Sequence, residues 1–268
     1  MKNYIVIKCG GSILDKLPPS FYNMIVDLQE STCWQPVIVH GGGPLISELL
    51  EKHEVKTTFM SGMRVTTPEV LEVVEMVLSG SINKRIVSSL QRAGGNGFGF
   101  SGIDGGLFTT ELMEDRSLGL VGKVTDVDVK WIEMIASQGS IPVISPVGGN
   151  KKGDTYNING DVAAAAVAAA LKGELCYISD INGIYIEENG QTKVIHEMTN
   201  VEAEAFIKNE DITGGMIPKV RSALDGLRAG VSRVGIVNGM CSSSLSDFLK
   251  GKVAGTKIIV DREGSRVG

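Results

Sequence analysis

Tyr4-Ile5-Val6-Ile7-Lys8-Cys9-Gly10-Gly11-Ser12 is an apolar run that takes up a lysine near its end and passes straight into two glycines. A short apolar run bounded by glycine reads as a buried strand feeding a tight turn, and such a turn leaves backbone N–H groups open to an anion. Lys8 sets a point cation beside those donors. The pattern recurs downstream. Val37-Ile38-Val39-His40 enters Gly41-Gly42-Gly43, and Pro44 opens a helical stretch over 45–53. Proline suits the first turn of a helix, whose N-terminus favours negative charge. Two strand-to-glycine turns, one carrying a lysine, point to an enzyme that holds phosphate and carboxylate groups.

Outward from these turns, strand-like runs alternate with helical ones. Strands are expected at 5–9, 36–40, 97–101, 141–145, 174–179, 233–237 and 256–261, and helices at 21–30, 68–92, 161–171 and 216–229. This alternation predicts an α/β fold with a mainly parallel sheet and helices on both faces. Ligands of such sheets bind outside the carboxyl ends of the strands, where both glycine turns fall. The polar segments 149–155 and 187–191 read as surface turns. A second lobe could begin near Leu171, so the expected division is 1–170 and 171–268, with no linker marking it.

With 43% hydrophobic and 21% charged residues the chain has an ordinary globular balance and ample core. A net charge of −5 argues against a sequence-independent nucleic-acid binder, which needs a basic excess. Cys9, Cys33, Cys176 and Cys241 are far apart and form no CxxC pair. Cys9 and Cys176 lie in apolar runs and read as small core residues, so reduced thiols in a cytoplasmic protein are expected. No secretory signal and no run of about 18 apolar residues is seen, so no membrane partner is expected.

The alanine-dense stretch 163–170 favours helix, and Asp161 at its start can cap that helix and meet its positive end. The preceding Asn157-Ile158-Asn159-Gly160 offers a second reading, in which alternating asparagines project to one side of an extended segment and converge with Asp161. Among phosphate-binding motifs, the GxxxxGK[ST] loop is absent, and the GxGxxG fingerprint does not follow the first strand, which excludes a P-loop kinase and a dinucleotide-dependent oxidoreductase.

Ile7-Lys8-Cys9-Gly10-Gly11-Ser12, His40-Gly41-Gly42-Gly43-Pro44, Gly62-Met63-Arg64-Val65-Thr66, Asn157-Ile158-Asn159-Gly160-Asp161, Ser179-Asp180-Ile181-Asn182-Gly183-Ile184 and Thr213-Gly214-Gly215-Met216-Ile217-Pro218-Lys219 stand in one order along essentially the whole chain. Together they resemble the amino-acid kinase family, and within it the members that phosphorylate N-acetyl-L-glutamate. The resemblance implies a three-layer αβα sandwich with a mainly parallel, eight-stranded central sheet, the carbamate-kinase-like fold. It implies an N-terminal lobe for the amino acid and dimerisation, and a C-terminal lobe for ATP.

The implied reaction moves the γ-phosphoryl group of ATP to the side-chain carboxylate of N-acetyl-L-glutamate, a step of arginine biosynthesis. A carboxylate with a pKa near about 4.3 is ionised at neutral pH, so no general base is needed. The task is to position two anions and neutralise the charge on the transferring group. The resemblance places Lys8 on the nucleophile side, Lys219 on the leaving-group side and Asp161 between them as their orienter. It makes Gly10, Gly11, Gly42 and Gly43 amide donors to phosphoryl and substrate oxygens, and Arg64 and Asn157 ligands of the acylated amino acid. It assigns Asp180, Asn182, Gly183, Ile184 and Tyr185, with Asp211, Ile212 and Thr213, to the adenosine. Mg²⁺ is expected with ATP, held by phosphates and water.

Each of these residues also has an ordinary role open to it. Lys8 could be a snorkelling edge residue. Lys219 could lie on a solvated helix face, Arg64 could pair with Glu69, and His40 reads as a structural donor beneath the glycine turn. Met63, Met76 and Met216 read as core fillers, and Lys84 as surface charge. Gly160 and Gly215 depart from the family pattern, which leads one to expect alanine and aspartate there. The first strand begins close to Met1, whereas the family's arginine-inhibited hexamers carry an extra helix ahead of it. A homodimer with little inhibition by arginine is therefore the expectation. Competing acceptors on the same scaffold include an N-modified aminoadipate. A competing class is a catalytically silent amino-acid sensor, against which the two lysines and Asp161 count.

Overall fold

In the computed structural model, which describes residues 3–31, 33–60, 62–188 and 191–261, the run before Gly10 is a strand. The main sheet holds β1 (Asn3–Cys9), β2 (Trp34–His40), β3 (Gly97–Ser101), β4 (Ile141–Ser145), β5 (Glu174–Ser179), β6 (Glu197–Thr199), β7 (Arg233–Asn238) and β8 (Thr256–Ile259). Its eight strands run in the order β6-β8-β7-β5-β1-β2-β4-β3. The six from β7 to β3 are parallel, while β8 lies antiparallel to β7 and β6 pairs parallel with β8. The two strands that carry the glycine turns are thus central neighbours, with Cys9 beside His40.

Beyond a single helical turn at Gly11–Leu14, the α-helices are α1 (Pro19–Glu30), α2 (Gly43–Lys52), α3 (Pro68–Glu75), α4 (Asn83–Arg92), α5 (Lys130–Ser137), α6 (Gly160–Ala170), α7 (Asn200–Lys208), α8 (Met216–Arg228) and α9 (Ser244–Leu249). Strand alternation divides them between the two faces. Ile5, Ile7 and Cys9 pack against α1 to α4 and α9, through residues such as Phe21, Leu50, Val74 and Leu90. Val6, Val37 and Val39 face α5 to α8, through Ile132, Ala164, Val220 and Leu224. The result is a three-layer αβα sandwich. Both cores draw residues from either side of position 170. Lys8 shares the Val6 face, under α6. There Ala163, Ala164 and Ala168 are fully buried, and such small side chains let α6 lie close to the central strands.

Several features depart from the sequence expectation, among them α5, α7 and α9, where no helix was expected. The single helix over 68–92 is interrupted by a π-helical segment, Met76–Ile82, between α3 and α4. β6 was not expected, because three residues are too few to show a period. The strands Phe108–Leu112, Val121–Val127, Val147–Gly149 and Thr155–Ile158 close into a small barrel, and short hairpins form at Phe59–Met60 with Met63–Arg64 and at Ile184–Glu188 with Gln191–Ile195. The expected turn at 149–155 joins two barrel strands, whereas the centre of the one at 187–191 lies outside the described residues. Met76 is 59% exposed and so is no core filler, while Met216 is buried. Cys9 and Cys176 are buried and free, as expected. No helix among the described residues is long and apolar enough to cross a membrane.

The two glycine turns touch backbone to backbone. The Gly41 N–H donates to the Cys9 carbonyl at 2.9 Å. A Cβ on Gly11 would lie 2.8 Å from the Gly43 nitrogen and 2.9 Å from the Gly42 Cα, whereas a Cβ on Gly43 would meet nothing within 4 Å. Gly11→Ala must therefore push the turns apart, at a cost of about 1–3 kcal/mol. Thermal unfolding is expected to show a clear drop in Tm for Gly11→Ala and little change for Gly43→Ala. Equal melting temperatures would refute the close approach.

Candidate active site

Lys8, one residue before the end of β1, holds its ammonium 2.8 Å from Asp161 Oδ1, and the side chains are 15% and 32% exposed. Asp161 belongs to the first turn of α6, but it is not the cap. Asn159 has the extended backbone of an N-cap, and its Oδ1 accepts from the Asp161 and Val162 N–H groups at 2.8 and 3.3 Å. The capping reading of Asp161 is thereby corrected. With the cap supplied two residues earlier, the carboxylate is left to face Lys8, still at the positive end of α6.

This ion pair lines a cavity of about 270 Å³ together with Gly11, Gly42, Gly43, Arg64, Asn157 and Asn159. Gly10 stands just behind it, its Cβ position 3.6 Å from Lys8 Nζ. A larger hollow of about 450 Å³ between the 11–14 turn and α4 shares Gly11 and Gly42 but none of Lys8, Asp161, Arg64 and Asn157. Volume alone does not locate the chemistry; convergent charge does.

Arg64 enters from the short hairpin. Nη1 donates to Thr57 Oγ1 at 2.6 Å, and Nη2 to Ser47 Oγ at 2.8 Å and to the Gly43 carbonyl at 3.1 Å. Its guanidinium lies 4.6 Å from the centre of the Phe59 ring. Glu69, the alternative partner, instead accepts from Thr67. Arg64 has no carboxylate partner among the described residues, and Nε–H and one Nη1–H have no acceptor there. Burial pulls its pKa down from the usual arginine value, yet from so high a start that it stays cationic. Asn157, in the barrel, donates to Thr66 Oγ1 at 3.0 Å. Thr57, Ser47 and Thr66 hold these two side chains in place, and only Thr66 lay inside one of the six motifs.

Beneath the turn, His40 is fully buried. Nδ1 lies 3.2 Å from the Gly41 carbonyl and Nε2 lies 3.3 Å from the Asn83 amide nitrogen. Burial, more than the cationic Lys84, holds its pKa down at about 4. The ring is neutral, in line with a structural role. Between about pH 6.5 and 5 the unfolded chain binds a proton here that the native state does not, so stability falls as pH falls, by about 2 kcal/mol over that window. Chemical denaturation from pH 7.5 to 5 is expected to show this slope in the native chain and a flatter one in His40→Asn. Parallel profiles would remove His40 as the cause. Lys84 is not merely surface charge: it donates to Asn83 Oδ1 and to the Gly99 carbonyl, both at 3.0 Å.

The remaining sequence candidates do not line the Lys8 cavity. Lys219 stands in the first turn of α8, its ammonium 3.4 Å from the Gly215 carbonyl. Asp180 follows β5, and Asn182 accepts from the Asn238 amide at 2.7 Å. Gly183 packs at Thr256, whose hydroxyl accepts the Ile184 N–H at 2.7 Å. Ile184 and Ile212 are fully buried core side chains, so only their backbones could meet a ligand. Tyr185 is 37% exposed, and Asp211 and Thr213 are exposed just ahead of α8.

Comparison with known proteins gives the family and the fold. A sequence model described as the amino acid kinase family matches residues 3–238. The acetylglutamate kinase of Oceanobacillus iheyensis is 46% identical over 98% of this chain and 99% of its own. Among solved structures, smu.665 from Streptococcus mutans UA159 superposes with a TM-score of 0.79 at 31% identity, covering 97% of this chain and 100% of its own. The carbamate kinase of Giardia lamblia bound to AMP-PNP, 18% identical, shares the fold with a TM-score of 0.70 over 97% of this chain and 99% of its own.

Proposed function

The chain belongs to the amino acid kinase family, and from that premise we propose that it transfers the γ-phosphoryl group of ATP to the side-chain carboxylate of N-acetyl-L-glutamate. The products are N-acetyl-L-glutamyl 5-phosphate and ADP, in arginine biosynthesis. The observation that carries this reading is the Lys8–Asp161 pair at a cavity walled by two apposed glycine turns, with Arg64 free of any carboxylate partner among the described residues.

In this reading the substrate's α-carboxylate meets the Arg64 cation through one of its open donors, and Asn157 meets the acetylamino group. A side-chain carboxylate oxygen attacks the γ-phosphorus, and the bond to the β–γ bridging oxygen breaks as ADP leaves. No proton needs to move. Lys8 neutralises the charge gathering on the transferring group, and Asp161 fixes its ammonium without taking a proton. The Gly10, Gly11, Gly42 and Gly43 amides supply neutral donors that need no reorganisation. Lys219 acts from the leaving-group side. Residues 180–185 and 211–213 cradle the adenosine, within a C-terminal lobe over 171–268 that faces an amino-acid lobe over 1–170. The donors at this cavity are cations and amides, and its one acid is already engaged by Lys8. Mg²⁺, which lowers the charge of ATP, would accordingly be held by phosphate oxygens and water.

The test is ATP-dependent formation of acyl hydroxamate with N-acetylglutamate beside glutamate, aspartate and N-acetyl-aminoadipate. Product with N-acetylglutamate alone supports the assignment. Product with another acceptor only would move the substrate, and ATP binding without any product would favour a sensor.

A further inference from the structure

The π-helical segment between α3 and α4 is followed at once by Asn83, a fully buried residue whose amide meets the strands beneath it. π-helical insertions are rare and concentrate at functional sites. Asn83 Nδ2 donates to the Val143 carbonyl at 3.0 Å and approaches the Phe100 carbonyl at 3.4 Å and His40 Nε2 at 3.3 Å. A Cβ at position 99 would sit 1.9 Å from Asn83 Oδ1, so Gly99 leaves the room that this side chain occupies.

The orientation is over-determined. Two backbone carbonyls, which can only accept, and the Lys84 ammonium on Oδ1, which can only donate, fix which end of the amide is nitrogen. A donating Nδ2 makes His40 Nε2 an acceptor. A neutral imidazole then carries its one proton on Nδ1, which donates to the Gly41 carbonyl. That carbonyl and the Gly42 N–H belong to one planar peptide and point in opposite directions. Holding the first aims the second. The Gly42 and Gly43 N–H groups have no acceptor among the described residues and sit at the cavity.

We propose that Asn83 is a positioning residue for catalysis: by fixing the His40 tautomer it sets the rotation of the Gly41–Gly42 peptide and so aims the Gly42 amide at the transferring phosphoryl group. This rests on the kinase reading above. The residue touches no substrate and acts only through His40.

The experiment has two arms. In the intact protein, ¹⁵N-histidine NMR reports the tautomer, with the His40 signals assigned by their loss in His40→Asn. An Nδ1–H tautomer is expected, and an Nε2–H tautomer overturns the proposal even if no kinase activity is found. The second arm compares Asn83→Leu in the native and His40→Asn backgrounds. An asparagine amide near the Nδ1 position can donate to Gly41 and has no tautomer to choose. In the native background kcat is expected to fall roughly 10- to 100-fold with KM for the acceptor little changed, since the aimed amide matters most in the transition state. In the His40→Asn background the same substitution is expected to cost less than about threefold relative to that background. An equal loss in both, or a loss confined to Tm, overturns the proposal.

Discussion

Lys8→Met is expected to lower kcat by about 10²- to 10³-fold while the chain stays folded, because preorganised charge at the transferring group is the strongest means of transition-state stabilisation open to this site. The ammonium is mostly buried and held 2.8 Å from Asp161, so no solvent cation readily replaces it. Methionine matches lysine as far as Cε and removes the ammonium group. Lys8→Arg is not expected to rescue, since a planar fork cannot occupy the place of a compact ammonium. Asp161→Asn tests the same pair from the other side. It keeps the shape, frees Lys8 to wander, and should cost less than losing the lysine itself. Circular dichroism and Tm separate these losses from unfolding. Turnover within tenfold of the native chain in Lys8→Met would take Lys8 out of the reaction.

Arg64→Lys should leave kcat near its native value and raise KM for the amino-acid substrate by about 10- to 100-fold, the range expected for losing one hydrogen bond to a charged group. Three donors of Arg64 are spent on Thr57, Ser47 and the Gly43 carbonyl, and these hold the plane of the guanidinium. Nε–H and one Nη1–H remain without an acceptor among the described residues, on different edges of the guanidinium. Lysine keeps the charge but has neither the fork nor the anchoring. Initial rates over a matrix of both substrates would check this, and KM for ATP should stay within about threefold. A rise in KM for ATP with no change for the acceptor would reverse the assignment.

How far the chain could be read varies from residue to residue. β1, β2 and the turns after them were legible because central parallel strands are apolar on both faces and glycine marks where backbones approach. α6 was legible from its alanines, yet its cap was not. Asn159 and Asp161 are both good capping residues, and only the fold put Lys8 within reach of one of them. The small barrel escaped because its strands are short and partly exposed, and Asn157 owes its place to that barrel. Lys219 was legible only through a motif, and in the structure it stays on α8, apart from the Lys8 cavity.

The sequence by itself determined the layer architecture, the two glycine turns and the lysine at the first of them. These depend on local periodicity and on backbone freedom, both of which are written residue by residue. Tertiary structure alone decided which ionisable groups meet. Lys8 finds Asp161, Arg64 finds Gly43 and Ser47 in place of Glu69, and His40 finds Asn83 across 43 positions of chain. Such pairings follow from strand order and helix packing, through which distant residues gain their electrostatic partners only once the core has closed.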